Sequence, residues 1–308
     1  MKNLIYITIC IIALCSCEQI IQVDIPPHES KLVLNAYILA GDTFPFAGSS
    51  QIFEYQNAIT VSHSIGALGN DEVKFYDDAT VHITSNGNLL EVITDAISIG
   101  EFWNWPNSSI IYGYIPTTTY EPGKTISIKA AQSGFPEQVV GTQKLPAYVP
   151  VTTEFIAGST PRVKIKFNDP SDPNTYQISI WAYDSNRSYA NYVYFYSYDP
   201  GFNPLGWDEW FIEEGVAYTN LGLLYDGAFN GKTKEFELFL DYYDPNDEVE
   251  YYIEFINIHP DMEKFLRSYF RYWNASDNPF AEPANIYHNV TGGYGTVCGG
   301  TRTVYKIK

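Results

Sequence analysis

The stretch ATVHITSNGNLLEVIT, residues 79–94, decides the fold. Two strand-like runs, 79–85, which alternates apolar and polar residues, and 88–94, flank Asn86-Gly87. An Asn-Gly pair adopts positive φ at both turn positions, which matches the twist of paired strands. The stretch therefore predicts a β-hairpin. Upstream, 31–38 alternates in the same way, and 58–65 and 73–76 do so more weakly. Downstream, Glu121-Pro122-Gly123-Lys124 is a turn that feeds 125–130, expected as an edge or penultimate strand. These runs predict a first sandwich of immunoglobulin or fibronectin type over 31–145, with Leu145-Pro146 opening a linker.

The rest of the chain repeats the theme. Strand-like runs fall at 149–156, 162–167, 176–183, 189–198, 210–218, 235–240 and 250–258, separated by turns rich in Asp, Asn, Pro and Gly. Val163, Ile165 and Phe167 share one strand face. One helix interrupts the series at 260–273. Pro260 suits a first helical position, and Asp261 and Glu263 suit the positive end of the dipole. Met262, Phe265, Leu266, Tyr269 and Trp273 recur at helical spacing, with Lys264, Arg267 and Arg271 outward. The expectation is a mainly β chain of two β-sandwich-like domains, 31–145 and 146–308, the second carrying one amphipathic helix.

The N-terminus reads as a leader. Lys2 precedes an apolar run, residues 4–14, too short to span a bilayer. Leu14-Cys15-Ser16-Cys17 reads as a lipobox, with Leu14 three places before Cys17 and small Ser16 just before it. Residues 1–16 are expected to be removed, Cys17 to be acylated, and 17–30 to form a tether stiffened by Pro26-Pro27. Of four cysteines, Cys10 and Cys15 leave with the leader, so Cys298 has no partner for an intrachain disulfide. Net charge is −18, and one unit more negative once Lys2 is lost. So acidic a body repels phosphate backbones, which argues against nucleic acid as a partner. Packing material is aromatic, with Tyr 26, Phe 18 and Trp 6.

Catalytic patterns are sparse. His28, His63, His82, His259 and His288 are scattered without metal-ligand spacing, and no nucleophile elbow or phosphate loop occurs. Cys298 reads as an idle thiol. Two carboxylates at the right separation suffice for glycoside hydrolysis, and sequence spacing does not report that separation. Asp241, Asp244, Asn246, Asp247 and Glu248 form one oxygen-rich turn, and Asn168, Asp169, Asp172 and Asn174 another. Calcium would suit either, although Asp and Asn also populate turns for backbone reasons, and no other cofactor is implied. The aromatic signal is sharper. In a regular strand Tyr192, Tyr194, Tyr196 and Tyr198 share one face, opposite Val193 and Phe195, and Trp207 and Trp210 follow in a Gly- and Pro-broken loop. Hydroxylated rings offer flat contact area with a polar rim, or they cover a neighbouring sheet.

Several motifs together resemble a known family. They are the lipobox, Glu29-Ser30-Lys31-Leu32-Val33-Leu34-Asn35, Asn230-Gly231-Lys232-Thr233, Asn278-Pro279-Phe280-Ala281-Glu282-Pro283, Ile286-Tyr287-His288-Asn289-Val290 and Gly292-Gly293-Tyr294-Gly295. This set is similar to the Bacteroidetes lipoprotein family called domain of unknown function 4249, over almost the whole mature chain. Cys298 lies outside that pattern. The resemblance implies an outer-membrane lipoprotein encoded beside TonB-dependent receptors, with no assigned activity and no catalytic residues to carry over. The expected function is a non-catalytic, membrane-anchored accessory or binding protein that works with such a receptor in nutrient capture. The alternatives are a surface hydrolase of polysaccharide or peptide and a structural lipoprotein of the envelope.

Overall fold

The computed structural model describes residues 28–45, 57–66, 72–104, 107–184, 189–205, 212–213, 216–217, 219–241, 249–276 and 285–307. The leader, Cys17, Trp207, Trp210, Asp244 and Asp247 lie outside the described residues.

In chain order the first strands are β1 (Leu32–Gly41), β2 (Ile59–His63), β3 (Thr80–Ser85), β4 (Asn88–Ile93), β5 (Ile97–Asn104), β6 (Asn107–Gly113), β7 (Thr125–Ala131) and β8 (Val139–Lys144). There follow β9 (Val151–Ile156), β10 (Arg162–Asn168), β11 (Thr175–Asp184), β12 (Tyr189–Tyr192), β13 (Phe195–Tyr196), β14 (Phe202–Leu205), β15 (Ile212–Glu213), β16 (Val216–Ala217), β17 (Leu221–Tyr225), β18 (Thr233–Leu240) and β19 (Val249–Ile258). Helix α1 (Pro260–Ser276) then leads to β20 (Val290–Thr291) and β21 (Tyr294–Lys306). The chain is mainly β, as its alternating runs require.

The β3–β4 hairpin forms as expected, with Asn86 and Gly87 at φ 48° and 82°. Asn86 Oδ1 also accepts the Thr125 N–H at 3.0 Å, tying the turn to β7. Strand β7 is the middle strand of its sheet, between β3 and β8, and not the edge or penultimate strand expected. Its turn residues fix where it starts, whereas its neighbours are set by pairing over long sequence distances. The run at 73–76 yields only a bridge, Ser62 to Phe75.

The layers are organised by one eight-stranded sheet, ordered β14-β17-β11-β19-β21-β1-β2 with β12 also beside β11. One face of it backs two smaller sheets. Leu34, Ala36, Ile38, Val61 and Val297 meet Val81, Ile83, Ile126, Ile128 and Val139 of the five-stranded sheet β20-β8-β7-β3-β4. Further along, Tyr176, Ile178, Ile253 and Phe255 meet Val163, Ile165, Phe167, Phe195 and Leu238 of the four-stranded sheet β13-β18-β10-β9. Each such fully buried side chain contributes ~1.5–3 kcal/mol.

The two cores are joined by β21. It runs parallel to β1, from Val33↔Tyr294 to Gly41↔Arg302, and antiparallel to β19. Val290 and Val297 therefore fill the first core from the C-terminal end of the chain. A division at 145/146 leaves those residues on the far side of a core they complete. The link at 145–149 is itself bonded into the sheet, with Thr301 Oγ1 on the Pro146 carbonyl at 2.6 Å and Thr303 Oγ1 on the Val149 carbonyl at 3.1 Å.

The opposite face of the large sheet is covered differently. Met262 and Leu266 of α1 pack on Leu39, Leu223, Ile256, Ile258 and Cys298, as the helical spacing predicts. Among the described residues, no helix is long and apolar enough to cross a membrane. The final strand starts at Tyr294. The Gly292-Gly293 turn seats it, because a Cβ on Gly293 would lie 2.2 Å from the Leu32 carbonyl oxygen.

Candidate recognition surface

Residues 189–198 do not form one strand. Tyr189–Tyr192 pairs with β11 in the large sheet, whereas Phe195–Tyr196 pairs with β18 in the four-stranded sheet. The segment thus crosses the open edge of the second sandwich. Val193 and Phe195 point inward and plug that edge. The tyrosines stay outward, but they wrap around the edge instead of lining one flat face. Burial alternates straight through the change of sheet, which is why a single strand was expected.

Tyr192 belongs to one side of this wrap. Its ring lies 3.7 Å from that of Trp181, centroid to centroid, in a small cluster with Phe44 and Tyr252. Although 41% of Tyr192 is exposed, burial of its phenol end, aided by the nearby Glu254 charge, raises its pKa well above the ordinary value. Glu254 is itself buried, accepting from Ser179 Oγ at 2.6 Å and Trp181 Nε1 at 3.2 Å. Arg302 sits 3.5 Å away and donates to the Asp42 carbonyl at 2.7 Å. This network fastens the loop after β1 to the sheet. Tyr192 closes it.

Tyr196 and Tyr198 belong to the other side. Tyr196 stacks on Phe239 at 5.1 Å and 13°, and Tyr198 meets both rings edge-on at 5.4 Å. Opposed residues in adjacent strands share a face. Tyr196, Phe239, Arg162 and Ile156 are successive partners across β13, β18, β10 and β9, so they form one row on the outer face. Behind that row runs a ladder of ion pairs, Arg162–Glu237 at 3.3 Å and Lys164–Glu235 at 2.8 Å. Exposed pairs of this kind add little to stability. They do give an aromatic centre a polar rim, which is the anatomy of a contact surface.

Among the described residues, Tyr198 is the most exposed large ring, at 67%. Its neighbours are nonetheless pinned. Ser197 Oγ donates to the Glu237 carbonyl at 2.7 Å, Asp199 Oδ1 accepts the Gly201 N–H at 2.9 Å, and Asp199 Oδ2 pairs with Lys234 Nζ at 2.5 Å. Ser197 and Asp199 were not singled out in the sequence. A Ser-x-Asp-x-Gly turn, the residues that bond their own backbone, was the available signal.

The other sequence candidates fall elsewhere. Asp169 accepts from the Tyr176 hydroxyl and from the Gly231 N–H, so the 168–174 turn is stapled to its neighbours. Burial raises the Asp169 pKa, with Asp226 adding to it. Asp241 follows β18, its N–H bonded to the Tyr194 carbonyl at 3.0 Å. Among the described residues, no three His, Cys, Asp or Glu side chains gather as a metal set. Cys298 is buried beside Met262, and burial pushes its thiol up to about 12.

No protein-family model matches the chain, and no curated protein matches it. The family resemblance therefore rests on the motifs quoted above.

Proposed function

We propose that this chain is a lipoprotein anchored to the outer membrane through Cys17, a non-catalytic accessory protein that works with a TonB-dependent receptor in nutrient capture. It recognises its partner through the aromatic row on the outer face of the four-stranded sheet. The lipobox and the family resemblance support the location and the partner. The observation that carries recognition is Tyr198, a large exposed ring held on a turn pinned at both flanks. A ring already fixed before contact loses little conformational freedom on binding, so more of its contact energy appears as affinity.

The test has two parts. Pull-down of the native protein in gentle detergent should bring an outer-membrane receptor with it. Cys17→Ser should move the body to the soluble fraction while leaving it folded, since acyl chains supply the stable hold. A native protein that captures no receptor, or a Cys17→Ser variant retained in the membrane after a high-salt wash, would contradict the reading.

A further inference from the structure

Helix α1 carries a basic stripe beside the strap that leads to β20. Lys264, Arg267, Ser268 and Arg271 recur at helical spacing and, with residues 285–288, line a groove of about 620 Å³. A volume of that order suits a sugar-sized ligand. Among the described residues no carboxylate lines it. The chain has 18 Lys and Arg against 36 Asp and Glu, so three cations gathered in one groove run against its composition.

The groove is built before any ligand arrives. Ser268 Oγ accepts the Tyr287 N–H at 2.8 Å and donates to the Phe265 carbonyl at 2.8 Å. The Tyr287 hydroxyl donates to Asp261 at 2.7 Å, and Thr296 Oγ1 donates to the Tyr287 carbonyl at 2.9 Å. The strap is thus fastened to α1 on one side and to β21 on the other. Two of the cations are held as well. Lys264 Nζ donates to Asp261 at 3.1 Å and lies 5.3 Å from the centre of the Tyr287 ring. Arg267 donates through Nε to Glu263 at 3.0 Å and through Nη2 to the Tyr225 hydroxyl, over whose ring it sits at 4.9 Å. That fixes the guanidinium plane and leaves Nη1 uncommitted.

Arg271 shows what the groove is short of. Its neighbours three and four places away along the helix are Arg267, Ser268, Asn274 and Ala275, none of them acidic. Like charges four apart on a helix repel. Among the described residues, Arg271 has no ion-pair or hydrogen-bond partner, whereas Lys264 and Arg267 each have a carboxylate. An anion shared between Arg267 and Arg271 removes the repulsion.

We propose that this groove binds a small soluble ligand bearing a phosphate or sulfate ester. The oxyanion bridges Arg267 and Arg271, Lys264 adds its charge, and the body of the ligand rests on half-exposed Ile286. Arginine forks match such oxygens in pairs, and a tetrahedral ester presents three of them where a carboxylate presents two. The acidic body repels an extended polyanion, which favours a compact ligand. Helix α1 covers the face of the large sheet away from the smaller sheets, so this site is separate from the aromatic row. It stands without the anchor or the receptor.

The experiment titrates the full chain, in non-ionic detergent, with glucose 6-phosphate and glucose 6-sulfate. In about 0.15 M salt, at least one ester should bind with a Kd below about 1 mM. Arg271→Gln should weaken that binding at least about tenfold, the loss expected for a charge-assisted hydrogen bond, and Arg271→Lys should weaken it less. Lys232→Gln, which removes an exposed cation elsewhere, should leave affinity unchanged. Without ligand, Arg271→Gln should melt no lower than the natural protein, because no partner is lost. On the natural protein, the bound ester should slow amide hydrogen exchange at 285–288. Failure of both esters to bind, equal losses in Arg271→Gln and Lys232→Gln, or unchanged exchange at 285–288 overturns the proposal. So does capture of phosphatidylglycerol vesicles with no response to either soluble ester, which would assign the groove to a lipid headgroup.

Discussion

The two sandwiches share a sheet yet present opposite surfaces. Among the described side chains, the exposed apolar ones around residues 89–110 are aliphatic, while around residues 192–198 they are tyrosines. Aliphatic groups have no hydrogen-bonding handle, so they favour lipid or another purely apolar cover. A tyrosine brings comparable area with a hydroxyl at its tip, which suits a polar partner. The lesson is that one architecture, a sheet backed by two smaller ones, has been given two contact chemistries by its outward residues alone. The inward residues are apolar in both halves, mostly aliphatic in the first core and joined by Phe167, Phe195, Phe236 and Phe255 in the second.

The comparison requires that both halves hang on β21, and the strongest test attacks that strand. A Cβ on Gly299 would lie 1.8 Å from the Ile38 carbonyl oxygen, a backbone atom that has no room to give way. Gly299→Ala is expected to cost well beyond the ~1 kcal/mol of an average point substitution and to lower both halves in one thermal transition. Two separate transitions, with the four-stranded sheet unaffected, would break the shared-sheet account.

Next comes the contrast of buried and exposed aliphatics within one hairpin. Ile83 is fully buried, whereas Leu89 is 61% exposed. Ile83→Ala should cost ~2–5 kcal/mol in denaturant unfolding, and Leu89→Ser no more than about 0.5 kcal/mol. Similar costs would mean that the exposed aliphatics are covered within the monomer.

A smaller effect is expected where the C-terminal strap meets α1. Asp261 accepts from the Tyr287 hydroxyl at 2.7 Å and from Lys264 at 3.1 Å. Burial pushes its pKa up, but these hydrogen bonds, with Asn289 and His259, outweigh burial and hold it below the usual carboxylate range. A depressed folded-state pKa means that the stabilisation is present above the unfolded value near ~4 and is lost as pH falls through the folded value. Melting temperature should therefore drop faster in acid for the natural protein than for Asp261→Asn, which at neutral pH is less stable by about 1–2 kcal/mol. Parallel acid profiles would remove Asp261 from this role.

Local signals explain what the sequence disclosed. The β3–β4 turn and the start of α1 are encoded within a few residues, by Asn86-Gly87 and by Pro260 with its acidic first turn. The parallel pairing of β1 with β21 joins residues about 260 positions apart, and no local pattern announces it. The β5–β6 hairpin escaped notice because Gly100 interrupts the alternation, where the register shifts. In the candidate surface, the outward tyrosines were legible from period 2. Their change of sheet at Val193 was not, because exposed and buried residues alternate across it from Tyr192 to Phe195. Phe239 and the Ser197–Asp199 turn became relevant only once β18 lay beside β13.

The most direct test of the account measures receptor capture and stability on the same protein, with Tyr196→Ala and Tyr198→Ala combined. Both rings lie on the outer face, so unfolding free energy should stay within about 1 kcal/mol of the natural protein, while capture of the receptor falls at least about tenfold. Normal capture by a stably folded variant would contradict recognition through this surface, and so would a loss of capture accounted for entirely by loss of folded protein.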